Sequence, residues 1–107
     1  MEAANSNRRL ESYTRNLFRC HVVEVANDRH APTFKRGDYL FTRNDIFPNL
    51  NDHVAVKLKD GRQILAMFVT SNGKNLIFRH FNSRNSMEVV RNSVIESLGK
   101  IVTVVHL

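Results

Sequence analysis

The chain has little of the chemistry that builds cross-linked or metal-bound proteins. It contains a single cysteine, Cys20, which excludes an internal disulfide and leaves no thiol pair for a structural zinc site. Cys20 opens an apolar run, so we expect a partly buried thiol. The five histidines lack the His-x-x-x-His and His-Glu-x-x-His spacings of metal sites. We therefore predict no metal and no cofactor.

Long apolar runs are also missing. No segment approaches the roughly 18–20 apolar residues of a membrane-spanning helix, and nothing near Met1 has the apolar stretch of a signal peptide. With 107 residues, 42% of them hydrophobic, the chain has room for one compact core. We expect a soluble, cytoplasmic protein of one domain with no membrane partner.

A surplus of positive charge is the one feature of the composition that suggests a partner. There are 16 Lys and Arg against 10 Asp and Glu, a net charge of +6, and a basic balance attracts phosphates. The basic residues are spread along the whole chain, and no basic run exceeds two residues. This distribution favours a solvated surface. A stand-alone, basic nucleic-acid-binding β-barrel stays open as the alternative function.

The hydrophobic pattern from residue 17 onward is that of strands. Apolar and polar residues alternate through 53–58, as in a half-buried strand. The following segment, 63–70, is apolar on both faces, which predicts a strand covered on both sides. Asp60-Gly61 lies between the two segments and predicts a hairpin turn.

These patterns predict an all-β domain, a small, strongly bent, partly open barrel or sandwich of about seven or eight short, mostly antiparallel strands. We predict a linker or flexible arm over 1–16, because that segment is polar and lacks a dense apolar face. The domain itself would span 17–107. The predicted strands are 20–25, 39–41, 53–58, 63–70, 75–80, 87–90, 94–96 and 100–107.

Three segments carry a resemblance to a known family. The first is 25–38, in which Asp28, Pro32, Phe34, Gly37 and Asp38 stand where the family has Gly-Asp-Ser-Met-x-Pro-x-Phe followed by Gly-Asp. The second is 51–66, similar to a Gly-Asp-x-Val strand, a turn and a strand ending in Lys. The closing segment 99–105 is similar to a final strand of the form Gly-x-Val-x-x-Val. In these features the chain resembles the C-terminal domain of LexA and phage repressors over about 18–107.

The departures from the family pattern concern catalysis. Family members cleave their own linker with a serine nucleophile and a lysine base, and the matching positions here are Arg29 and Ala66. A guanidinium stays protonated and offers no lone pair for attack. No lysine lies between Lys59 and Lys74 to act as the base, and losing either member of such a unit costs about a million-fold in turnover where measured. We therefore predict a domain that is not an enzyme.

A second catalytic arrangement is conceivable within the same segment. Thr33 lies near His30 and Asp28, which together supply a hydroxyl, an imidazole and a carboxylate. Residues so close along a loop usually make turn hydrogen bonds, and Asp28 is placed for an Asx-type turn. We interpret these residues as turn-forming.

What the resemblance implies is self-association. In the family this domain forms dimers and higher assemblies, while a separate helix-turn-helix domain reads the operator. No helix-turn-helix occurs in this chain, so DNA would be bound through a domain supplied elsewhere. Residues 1–16 contain no Ala-Gly or Cys-Gly pair of the kind that family members cleave. We therefore expect release by another signal, such as an antirepressor protein.

The last predicted strand offers a surface for that association. Its alternation places Ile101, Val105 and Leu107 on one side and Val102 and Val104 on the other. At a sheet edge, a strand apolar on both faces pairs readily with another chain. Inside its own sheet it would be covered, and the sequence leaves both arrangements open. The predicted interface residues are Ile101, Val102, Thr103, Val104 and Val105.

Overall fold

A computed structural model describes residues 20–81 and 86–106. They form one antiparallel sheet of seven strands in the order β1-β2-β7-β3-β4-β5-β6. The sheet is open, with β1 and β6 at its two edges, and the all-β prediction is confirmed. The predicted arm over 1–16 lies outside the described residues. The strands are β1 (His21–Glu24), β2 (Tyr39–Arg43), β3 (His53–Leu58), β4 (Gln63–Ser71), β5 (Asn75–Arg79), β6 (Met87–Arg91) and β7 (Ile95–Val105), with a short 3-10 helix over Asn92–Val94. No described helix is long and apolar enough to cross a membrane.

Two tight turns set the β3–β4–β5 meander. Gly61 adopts a φ of +93° and Gly73 a φ of +88°, backbone conformations that glycine reaches without steric cost. Each turn is reinforced by a side chain: Asp60 Oδ1 accepts the Arg62 N–H at 2.9 Å, and Asn72 Oδ1 accepts the Lys74 N–H at 3.0 Å. The hairpin predicted from Asp60-Gly61 is confirmed.

The final strand differs from its prediction. The segments 94–96 and 100–107 were expected as separate strands with Gly99 between them, but Ile95–Val105 is one strand of 11 residues. Gly99 lies inside it and is buried. A Cβ at Gly99 would stand 2.8 Å from the Thr42 Cβ, so this position requires glycine because any side chain would clash with β2. Gly99 does not start a strand.

Two clusters of buried side chains form the core. The strand β4 contributes to both, because Ile64, Ala66 and Phe68 enter the first cluster and Leu65 enters the second. This confirms the prediction that 63–70 is covered on both faces. The first cluster comprises Val54, Val56, Leu58, Ile64, Ala66, Phe68, Leu76, Phe78 and Val90. The second comprises Val25, Phe34, Leu40, Ala55 and Leu65.

The close approach of Thr42 to Gly99 predicts that a side chain at position 99 lowers stability. Gly99→Ala places a methyl group against the Thr42 Cβ, which can move only with its backbone, so we expect unfolding free energy to fall by about 1–3 kcal/mol. Ser97→Ala is the matched control on the same strand and should change stability much less. Urea denaturation of both variants measures the difference. Equal stability of Gly99→Ala and the parent would show that β2 and β7 do not meet as closely as described.

Candidate functional site

The loop between β1 and β2, residues 25–38, is fixed at both ends. Val25 and Phe34 are buried in the second core cluster. The Val25 N–H donates to the Asp38 carbonyl at 2.9 Å, and the Gly37 N–H donates back to the Val25 carbonyl at 3.0 Å. The loop is therefore closed like a short strand pair, and the residues between these anchors are presented on the surface.

Hydrogen bonds within the 25–38 loop show that its polar side chains stabilise the loop itself. Asn27 Oδ1 accepts the Arg29 N–H at 3.0 Å, so the Asx turn is made by Asn27, and its assignment to Asp28 was wrong. Asp28 Oδ1 instead accepts the Arg36 N–H at 2.9 Å across the loop. That contact commits the Asp28 carboxylate to holding the two sides of the loop together.

The 25–38 loop forms one wall of a groove of about 590 Å³. Arg29 and His30 come from the loop, Arg62 comes from the β3–β4 turn, His80 directly follows β5, and Glu88 lies on β6. The remaining lining residues are Ala26, Asn27, Gly61, Gln63, Ile64, Phe81 and Ser86. We call this surface the groove. Three segments far apart in the chain thus meet at one place.

The two histidines of the groove have different surroundings. His80 Nε2 lies 3.1 Å from Glu88 Oε1, which orients the His80 ring. Burial lowers the pKa of His30, and the neighbouring positive charges of His80 and Arg29 lower it further. His30 is therefore held in its neutral form at pH values where an exposed histidine already takes up a proton.

The two positions that match the family's catalytic pair differ in their surroundings. Arg29 is exposed and lines the groove. Ala66 is fully buried in the first core cluster, beside Val54 on β3. Ile64, two residues earlier on the same face of β4, does line the groove. Position 66 is thus adjacent to the groove but contributes no surface to it, and neither position carries a nucleophile or a base.

The last part of β7 has a strand partner on one side only among the described residues. Residues 95–100 pair with β3, whereas 100–105 pair with β2 on the other side. Beyond Lys100, no described strand pairs with β7 on the β3 side. We call residues 101–105, with this unpaired side, the β7 edge. Neither arrangement left open by the sequence holds as stated, because among the described residues each half of β7 has one strand partner, 95–99 on the β3 side and 101–105 on the β2 side, and only Lys100 is paired on both.

A bulge corrects the predicted faces of the β7 edge. The ladder with β2 shifts register between Phe41 and Thr42, which pair with Thr103 and Ile101 and leave Val102 unmatched. Ile101 and Val104 consequently pack on the second core cluster. Val102 and Val105 remain 42% and 38% exposed. The prediction that Ile101 and Val105 share a face was wrong, since one extra residue reverses the alternation. Leu107 lies outside the described residues.

A short polar contact anchors the end of β7. His106 Nδ1 lies 2.7 Å from Asp38 Oδ2, and the Asp38 side chain is 3% exposed. The same oxygen of Asp38 accepts the Lys35 N–H at 2.9 Å. A buried carboxylate needs such partners to offset its desolvation. The contact ties the residue after β7 to the last residue of the 25–38 loop.

The chain matches no protein-family model, and no curated protein is significantly similar to it. The resemblance to LexA-type domains therefore rests on the three quoted segments. Sequence reasoning singled out Arg29, which lines the groove, but it missed Arg62, His80 and Glu88 as parts of one site. Glu88 lies opposite Phe78 in the β5–β6 ladder, a register that residue spacing does not reveal.

The burial of His30 predicts a pH dependence of stability. Because its pKa is lowered in the folded state, the unfolded chain binds the proton more readily, and stability falls as pH drops below about 6.5. His30→Gln cannot titrate, so we expect it to lose part of this decline between about pH 7 and pH 5. His21→Gln, at an exposed position on β1, is the control. Urea unfolding across this pH range tests it, and unchanged pH profiles in His30→Gln would contradict the assignment.

Proposed function

We propose that this chain is a non-catalytic self-association domain that pairs with a second copy of itself through the β7 edge. The observation that carries the proposal is that β7 continues for five residues beyond the end of its ladder with β3. Over 101–105 it has a strand partner on the β2 side and none among the described residues on the other. Unpaired N–H and C=O groups along a strand are a template for another chain.

Composition favours the β7 edge over the two outer strands. The segment 101–105 is Ile-Val-Thr-Val-Val and holds no charged residue. The outer strand β1 carries Glu24, and β6 carries Glu88 and Arg91. Charged side chains are what natural edge strands use to discourage pairing. Antiparallel pairing of two β7 edges around a twofold axis would use the same patch of both copies in one closed, isologous interface.

The His106–Asp38 contact supports the same role. It holds the residue that follows the β7 edge against the 25–38 loop, at 2.7 Å from a buried carboxylate. A strand that is already extended and anchored loses less conformational entropy when it pairs with a partner. The exposed valines of the β7 edge, Val102 and Val105, then add apolar area that the second copy would bury.

The absence of catalysis is part of the proposal. Arg29 and Ala66 replace the serine and lysine that the resemblance implies, and the two cannot supply a nucleophile and a base. The groove beside Arg29 keeps a place where a chain could lie, without the reacting groups. In the whole protein, the resemblance suggests a repressor whose helix-turn-helix domain gains avidity on paired half-sites through this association.

Self-association is tested at Val102. Val102→Asp puts an unpaired charge into the proposed interface, so we expect a folded monomer and a dissociation constant raised at least about tenfold. Val89→Asp is the matched control, since Val89 is 62% exposed on β6 and should associate like the parent. Sedimentation velocity over a concentration series gives the constants, and circular dichroism checks the fold. Association of Val102→Asp equal to that of Val89→Asp would contradict the proposed interface.

The lack of self-cleavage is tested separately. Incubation of the full chain at alkaline pH, where a lysine base would be neutral, should yield no fragment, because the matching positions are Arg29 and Ala66. Mass spectrometry against a sample kept at neutral pH measures this. A single defined cut within residues 1–16, growing with pH, would overturn the non-catalytic assignment.

A further inference from the structure

The groove collects positive charge from separate segments. Arg29 and His30 come from the 25–38 loop, Arg62 from the β3–β4 turn, and His80 from the end of β5. Glu88 is the one acidic residue among its described lining residues, and it is already engaged with His80 at 3.1 Å. Two guanidinium groups and two imidazoles therefore line the groove against one carboxylate.

The protonation of His30 would respond to an anion bound in the groove. His30 and His80 are half-buried, and burial, with the charges of His80 and Arg29, lowers the pKa of His30. Arg62 from the β3–β4 turn adds positive charge, and Glu88 from β6 reaches the site through His80. An anion in the groove would offset the repulsion, because an opposite charge nearby favours the protonated imidazole.

Cation binding and covalent chemistry fit the groove less well. The described residues include no group of three or more His, Cys, Asp or Glu side chains that could hold a metal ion. Ser86, His80 and Glu88 are the side-chain types of a nucleophilic triad, but the contact described between Ser86 and His80 joins backbone atoms, His80 N–H to the Ser86 carbonyl at 3.0 Å. Activation of a hydroxyl needs a hydrogen bond from the hydroxyl itself to the base.

We propose that the groove binds a small anion through a phosphate or carboxylate group held by Arg29 and Arg62. Guanidinium groups bind both anions with paired N–H donors. Arg62 Nε now lies 3.3 Å from Asp60 Oδ2, with both side chains at least 60% exposed, and such surface pairs are weak enough to exchange partners. A volume of about 590 Å³ suits a small molecule. The inference does not depend on self-association.

The test follows the imidazole NMR signals of His30 and His80 in the full chain as inorganic phosphate, succinate or chloride is added at constant ionic strength. We expect phosphate or succinate, and not chloride, to shift these signals to saturation and to raise the pKa of His30. Saturation by phosphate alone assigns a phosphate ligand, and saturation by succinate alone assigns a carboxylate. Saturation by both supports a general anion site.

Two variants and a control locate the site. Arg29→Gln and Arg62→Gln each remove one charge-assisted donor and should weaken binding about tenfold or more. Arg91→Gln, an exposed arginine at the end of β6 outside the groove, should bind like the parent. Shifts that do not saturate, or that chloride reproduces, would overturn the proposal. Equal weakening in Arg91→Gln and Arg29→Gln would do the same, since it would indicate screening by net charge.

Discussion

The pairing of β7 with two different strands is the interaction on which the sheet depends. β7 joins the β1–β2 pair to the four strands from β3 to β6, and its two ladders overlap at Lys100. One residue earlier, the bare backbone of Gly99 allows Thr42 to approach. Lys100 Nζ also lies 3.4 Å from Asp52 Oδ2. The hydrogen bond from the Asn49 N–H is the main cause that holds the pKa of Asp52 below its ordinary value, and Lys100 lowers that pKa further. Strand order and the loop before β3 are thus fixed at one crossing.

The local sequence was enough to predict the features that depend only on residues close together in the chain. The turns at Gly61 and Gly73 require a positive φ, which a glycine after Asp or Asn announces directly. The double-sided apolar pattern of 63–70 identified a covered strand for the same reason. Gly99 is ambiguous because its role is set by Thr42, which is remote in sequence and meets it only in the folded sheet. A glycine that ends a strand and one that permits a close crossing look alike in sequence.

The same difference between local and long-range contacts explains which groove residues could be predicted. Arg29 was found because a linear motif marks the 25–38 loop. Arg62 was missed because the β3–β4 turn meets the 25–38 loop through a long-range contact between Gln63 and Ala26. His80 and Glu88 were missed because the β4–β5 and β5–β6 registers bring them to the groove. The bulge at Val102 is a further case, since one unmatched residue decides which valines of the β7 edge are exposed. Such features depend on pairing partners that residue spacing does not specify.

The 25–38 loop connects the two proposed surfaces. Arg29 and His30 in its first half line the groove, while Asp38 at its end holds His106 just beyond the β7 edge. An anion that orders the first half of the loop acts on an element whose far end positions the association strand. If the loop differs at all between monomer and dimer, the anion must bind the two states unequally. Linkage then requires association to change the anion's affinity by the same factor. Coupling through the hydrogen-bonded loop would thus need only that difference between the two states, and no contact between ligand and partner.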